Sequence, residues 1–327
     1  MKKLLSLTLL AMLAASLQAA PVAPAPAAKK LEHVKLGMNW IPYTDYAMYV
    51  YGIGKGVYRD AGIDVELIPA KGSELCIKLV GGGSADFGSA SADELLLART
   101  KGMPVKALAV MQQSSPVSVI SLAKLGIKKP KDLEGKRLAS DPSSMKHRQF
   151  EAFCKLNGVD LAKITVLPIK GSNFMYLLEG KADAMLAFDY IGDAQLRQKG
   201  HEIDELKLRD HGVDIYSLSL FTTDALIKAD PALVKRFAAA TRKSWELAMK
   251  DPAAAAEALA KAYPELPLAD NLPQVQGVVA LMRSPDTKTH GVGYQSQEKW
   301  TKTQNLLFDL GMVEKKLDLK DVYTSKF

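Results

Sequence analysis

Asn39-Trp40-Ile41-Pro42-Tyr43-Thr44-Asp45-Tyr46 is the stretch whose reading decides the fold. Just upstream, residues 34–38 (Val-Lys-Leu-Gly-Met) read as a strand. Just downstream, Tyr49-Val50 continue a helix that leaves through Lys55-Gly56-Val57-Tyr58, and Ala61-Gly62-Ile63-Asp64-Val65 opens a second strand. The turn after a strand in an open α/β sheet sits at the carboxyl edge, where such sheets bind ligands. Trp40, Tyr43, Asp45 and Tyr46 in that turn suit a small, flat, polar molecule. Trp40 would stack on it, and Asp45 or a tyrosine hydroxyl would hydrogen-bond to it. The competing reading has Trp40 closing a core and the tyrosines packing its rim.

Working outward, strand and helix signals alternate, which argues an α/β fold of mostly parallel sheets flanked by helices. Strands are expected at 34–38, 63–68, 85–87 and 105–111, with helices at 44–58, 72–81 and 91–101 between them. Glycines 62, 72, 81–83 and 102 provide the punctuation. A second block starts near Pro116, with strands at 117–122, 137–140, 164–168 and 182–188 and helices at 143–157, 172–180 and 189–199. A returning strand over 215–221 would carry the chain back. From Asp224 the pattern is helical, at 224–228, 230–249, 252–263, 270–283 and 295–310. Asp230-Pro231 and Asp251-Pro252 place Asp at the N-cap and Pro at the first helical position, and Thr223 or Asp224 caps the helix before them. The expected division is one lobe of 31–115 plus 221–327 and a second of 116–220.

Four further segments carry candidate contacts. Gly88-Ser89-Ala90-Ser91 is expected to follow the third strand and open a helix, with Ser89 in a ligand turn or a Ser cap with Asp93 and Glu94 complementing the dipole. Gln112, in Gln112-Gln113-Ser114-Ser115-Pro116, lies where one lobe passes to the other. Asp141-Pro142-Ser143-Ser144 offers an anchor for an anionic or carbonyl group through Ser143 and Ser144, or an ordinary serine cap. Phe188-Asp189-Tyr190-Ile191-Gly192-Asp193 ends the last strand of the second lobe. There Asp189, Tyr190 and Asp193 would meet an amino or ring N–H donor, the alternative being that Asp189 caps a helix. With acids at both edges, a neutral or cationic nitrogen heterocycle is expected to bind better than an anion.

The strand–turn–helix of 34–65 and the phrase Lys131-Asp132-Leu133-Glu134-Gly135-Lys136 closely resemble the periplasmic solute-binding proteins that serve ABC importers. The resemblance is to the branch that handles thiamine pyrimidine precursors, taurine and other sulfonates, and nitrate. It implies a two-lobed periplasmic-binding-protein fold of type II with two hinge crossings. The partners it implies are a small-molecule ligand and an inner-membrane ABC permease, the protein being a monomer with no cofactor. Related pyrimidine binders often place a His where Tyr46 stands. The pyrimidine-making enzymes of the same fold carry a Cys-rich motif that this chain lacks.

Met1-Lys2-Lys3, an apolar run to Leu17 and Gln18-Ala19-Ala20 read as a secretory signal peptide over 1–19. The apolar run is shorter than the ~20 residues of a spanning helix. A Pro/Ala-rich leader over 20–30 follows, and no Cys stands there to take a lipid. The expected location is the periplasm. Formal charge is +7, two of it from Lys2 and Lys3. The basic residues are scattered, which argues against nucleic-acid binding. Cys76 and Cys154 lie in apolar helical patterns and read as buried free thiols rather than a disulfide. The five His residues form no metal-spaced pair. No Gly-x-Ser-x-Gly elbow occurs, and Gly81-Gly82-Gly83 lacks the Lys-Ser/Thr of a phosphate loop.

Overall fold

The structure is a computed structural model that describes residues 30–327. The expected signal peptide and nearly all of the leader lie outside the described residues. The first strand, β1 (Glu32–Met38), leads through the quoted turn into α1 (Tyr46–Gly54) and α2 (Val57–Asp60). Then follow β2 (Ile63–Pro69), α3 (Ser73–Gly81), β3 (Phe87–Ser91), α4 (Ala92–Thr100) and β4 (Val105–Val110). The second run is β5 (Val117–Leu122), β6 (Arg137–Ser140), α5 (Met145–Leu156), β7 (Thr165–Pro168), α6 (Met175–Leu178), β8 (Ala184–Phe188), α7 (Asp189–Gln195) and β9 (Ile203–Lys207). Strand β10 (Leu218–Thr223) precedes a helical remainder: α8 (Asp224–Ala229), α9 (Pro231–Lys250), α10 (Pro252–Ala262), α11 (Leu268–Met282), α12 (Pro285–His290), α13 (Gln297–Asp309) and α14 (Leu319–Val322).

Two five-stranded sheets result, ordered β2-β1-β3-β10-β4 and β7-β6-β8-β5-β9. In each, four strands run one way and one runs against them: β10 in the first sheet, β5 in the second. These two antiparallel strands are the ones entered from the crossing segments, 111–116 outward and 208–217 on return. The inner strands β3 and β5 are buried at every residue, as expected when helices cover both faces. Helix α9 shows how. Val234, Phe237, Ala238, Thr241, Trp245 and Ala248 are all buried and recur at helical spacing, so one stripe lies on the first core. Among the described residues no helix is long and apolar enough to cross a membrane.

The third strand differs from expectation. Gly88-Ser89-Ala90-Ser91 is not a turn; it is most of β3. Its small residues suit a central strand because neighbours fill the space. A Cβ on Gly88 would sit 2.3 Å from the Phe221 ring of β10. Strand β9 (Ile-Asp-Glu-Leu-Lys) escaped a reading based on apolar runs. It is an edge strand, where charged side chains are tolerated and deter pairing with other chains. The helix expected over 172–180 shrinks to α6 between Gly171 and Gly180, both at positive φ. The proposed caps hold: Thr223, Asp230 and Asp251 each accept an N–H in the first turn of their helix.

Helices α7 and α11 meet at Gly277, where an added Cβ would lie 2.2 Å from Tyr190 Cβ. Gly277→Ala gains about 1 kcal/mol of helix propensity but overpacks at a cost of about 1–3 kcal/mol. The denaturant midpoint should therefore fall. A rise would mean that the two helices do not touch this closely.

Candidate functional site

The carboxyl ends of β1 and β4 and of β6 and β8 open onto the region where the chain crosses between sheets. The turn after β1 is pinned on several sides. Tyr46 Oη donates to the carbonyl of Trp40 at 2.7 Å, Thr44 Oγ1 donates to Gln274 Oε1 of α11 at 2.7 Å, and the Asn39 carbonyl accepts from Gly72 N–H at 2.9 Å. The Trp40 indole is left 40% exposed, so it does not close the core. Tyr46, by contrast, is fully buried against Tyr43 and Tyr263 and braces the turn from behind. Its side chain belongs to the core rather than to an open cleft.

Asp45 is 2% exposed and has no cationic partner among the described residues. Tyr43 Oη donates to its Oδ2, and Gln112 Nε2 donates to its Oδ1 at 3.1 Å. Gln112 Oε1 accepts from Ser217 Oγ at 3.3 Å, and the Gln112 carbonyl accepts from Ser217 N–H at 3.1 Å. One acid thus ties the Trp40 turn to both crossings. Burial raises its carboxyl from 3.8 to about 6, against the lowering effect of Tyr43 and Gln112.

Across the crossing, the expected acid of the second sheet is already committed. Asp189 accepts from Tyr190 N–H at 2.7 Å and pairs with Arg209 at 2.6 Å; Arg209 also donates to the Ser115 carbonyl at 3.0 Å. The expected row of free acids at both edges is therefore corrected: Arg209 neutralises Asp189. Tyr190 is 4% exposed, yet its hydroxyl has no hydrogen-bond partner among the described residues. Burial and the carboxylates of Asp45 and Asp189, with Tyr43, keep that hydroxyl well above the usual phenol range. Asp193 lies on the same helix, α7.

The serines are placed differently from expectation. Ser89 is buried inside β3, where its Oγ accepts from Tyr49 Oη at 3.0 Å. Ser143 N–H and Oγ both donate to Asp141 Oδ1, and Ser144 caps α5 while donating to the Asp141 carbonyl. Both hydroxyls thus have local partners. Asp93 and Glu94 do more than complement a helix dipole. Gln149 Nε2 donates to Asp93 Oδ2 at 2.8 Å, Gln149 Oε1 accepts from Ser115 Oγ at 2.6 Å, and Arg148 pairs with Glu94. These bonds join α4 of the first sheet to α5 of the second. Polar residues inside amphipathic helices gave no sign of it in the sequence. Ser140 Oγ lies 3.0 Å from His147 Nδ1, with both residues buried. Cys76 and Cys154 are buried free thiols on different sheets' helices, each pushed up to about 12 by burial. Among the described residues no cluster of His, Cys, Asp or Glu is placed to hold a metal ion.

The family described as NMT1/THI5 like matches residues 43–255. Riboflavin-binding protein RibY of Chloroflexus aurantiacus is 25% identical over 321 residues, 94% of this chain and 90% of that protein. The formylaminopyrimidine-binding protein of Halalkalibacterium halodurans is 23% identical over 303 residues, 90% of each chain. Other relatives are named 4-amino-5-hydroxymethyl-2-methylpyrimidine phosphate synthase. Among solved structures, the periplasmic aliphatic sulphonate binding protein SsuA from Escherichia coli shares the fold, with a TM-score of 0.69 and 16% identity over 89% of this chain and 91% of that one.

The Asp45 geometry sets a pH dependence. Between about pH 4 and 6 the folded protein keeps a proton on Asp45 that the unfolded chain has released. Stability from this group is full below that window and declines as pH rises through it, by about 3 kcal/mol in all. Asp45→Asn should flatten this part of the pH–stability profile measured by denaturant unfolding. An unchanged slope would mean that Asp45 titrates as a solvated acid.

Proposed function

Because the chain belongs to the NMT1/THI5-like family, we propose that it is a solute-binding protein that takes up a small, flat nitrogen heterocycle between two lobes and delivers it to an ABC permease of the inner membrane. One lobe is 31–115 plus 221–327, the other 116–220. The protein works in the periplasm as a monomer and performs no chemistry on its ligand. The observation that carries this reading is the Tyr190 hydroxyl, buried on α7 without a partner among the described residues. A buried polar group left unpaired calls for an explanation, and a bound solute supplies one. The half-exposed Trp40 indole on its pinned turn fits a stacking platform for a ring. Relatives named for riboflavin and formylaminopyrimidine, both flat nitrogen heterocycles, support the same ligand class.

An enzyme on this fold is the competing reading, raised by the relatives named as synthases. Catalysis by a nucleophile needs a hydroxyl or thiol that the substrate reaches. The Ser140–His147 pair is buried under the start of α5, and both thiols are buried and hard to ionise. Those features favour binding without chemistry.

The test uses calorimetry of the protein against riboflavin, an aminopyrimidine and taurine, with two variants. Trp40→Ala should abolish heterocycle binding while circular dichroism stays native. Tyr190→Phe should leave stability unchanged or slightly raised, because the lost hydroxyl makes no internal bond. It should nevertheless weaken binding by about 0.5–1.5 kcal/mol, the size of one hydrogen bond. Wild-type affinity in both variants would place the ligand elsewhere.

A further inference from the structure

Lys146 occupies the second position of α5, just past the carboxyl end of β6. Its ammonium lies 5.4 Å from the centroid of the Phe188 ring and 3.3 Å from Ser172 Oγ. Among the described residues it has no carboxylate partner. Asp141, the acid whose charge acts on Lys146, is committed elsewhere: Oδ2 pairs with Lys170 at 2.8 Å and Oδ1 accepts twice from Ser143. The other acid at this edge, Asp189, is neutralised by Arg209. The Phe188 ring that Lys146 covers lies 5.6 Å, centroid to centroid, from the ring of Tyr190. The Lys146 ammonium thus borders the ring that packs beside Tyr190. Burial lowers the Lys146 amine to about 8, with Asp141 opposing the shift. Lys146 is partly buried, and a cation partly withdrawn from water gains from an anionic partner.

We propose that Lys146 is the subsite for an anionic oxygen group on the bound solute, so that the protein selects ligands carrying a phosphate, sulfonate or carboxylate over their uncharged counterparts. This rests on the solute-binding reading and narrows its ligand class. It also departs from the expectation from sequence that acids at both edges would repel anions, because Arg209 pairs with Asp189 and Asp45 sits with the first sheet. A ring with N–H donors at the Asp45 end and an acidic substituent at the Lys146 end would satisfy both.

The test is calorimetry of the whole protein with matched pairs: riboflavin against riboflavin 5′-phosphate, an aminopyrimidine alcohol against its phosphate ester, and ethanol against ethanesulfonate. The wild type should favour the anionic member of at least one pair by about tenfold, the scale of a hydrogen bond to a charged group; the pair that shows it separates phosphate from sulfonate. Lys146→Met should erase that preference and leave the neutral member's affinity and the thermal midpoint near wild type, while Lys146→Arg should retain most of it. Lys124→Met, which removes an exposed charge at the far edge of the same sheet, should change nothing. Neutral members binding as well as anionic ones, or a preference that survives Lys146→Met or falls equally in Lys124→Met, would overturn the subsite while leaving the solute-binding reading intact. Binding of no member of any pair would overturn both.

Discussion

A carboxylate with no cation beside it holds this structure's working region together. Asp45 is buried, and an isolated charge there would cost several kcal/mol. Two donors, the Tyr43 hydroxyl and the Gln112 amide, offset that cost. Bonds to a charged acceptor are worth about 1.5–3 kcal/mol each, and what they leave uncovered appears as a carboxyl raised to about 6. Gln112 is not a free donor, since its carbonyl groups are taken up by Ser217 on the return crossing. The orientation of the Trp40 turn therefore depends on both crossings at once. A change in either crossing alters the hydrogen bonds of Asp45 before it reaches the indole.

Other buried acids near the crossings follow the same logic of commitment. Glu94 with Arg148, Asp93 with Gln149 and Asp189 with Arg209 each place a buried acid against a side-chain donor. Breaking such a pair on one side costs about 3–5 kcal/mol when fully buried. Arg148 is partly exposed, so its share is smaller. Glu94 and Asp93 lie on α4 and their partners on α5, so separation of the sheets would expose two acids whose desolvation is now compensated across the gap. The state described is thus a joined one, and hinge motion would exchange these bonds for water.

Much of the fold was legible because the chain alternates clean strand and helix patterns. β2, β4, β5 and β6 begin at the expected residues, and the Asp-Pro pairs mark the starts of α9 and α10. What failed did so for local reasons. β3 is built from small residues that read as a turn because the bulk filling its faces comes from Phe221 and others distant in sequence. β9 carries too much charge to read as a strand, yet it needs little apolar surface at an edge. At the site, the turn after β1 was legible as a place where polar and aromatic groups gather. Its internal division was not. Tyr46 and Ser89 turn to the core, and the acid at 189 finds Arg209, because pairing partners lie on other elements and leave no periodic trace. Lys146 was invisible for the same reason, as one lysine on an amphipathic helix.

The most direct test of solute capture at this junction is a crystal structure of the protein with whichever heterocycle calorimetry shows to bind. The ligand should lie between the Trp40 indole and the Tyr190 hydroxyl, with the Tyr43–Asp45–Gln112 bonds preserved behind it. Density for the solute on the outer face of either sheet, with Tyr190 still unpaired, would contradict it.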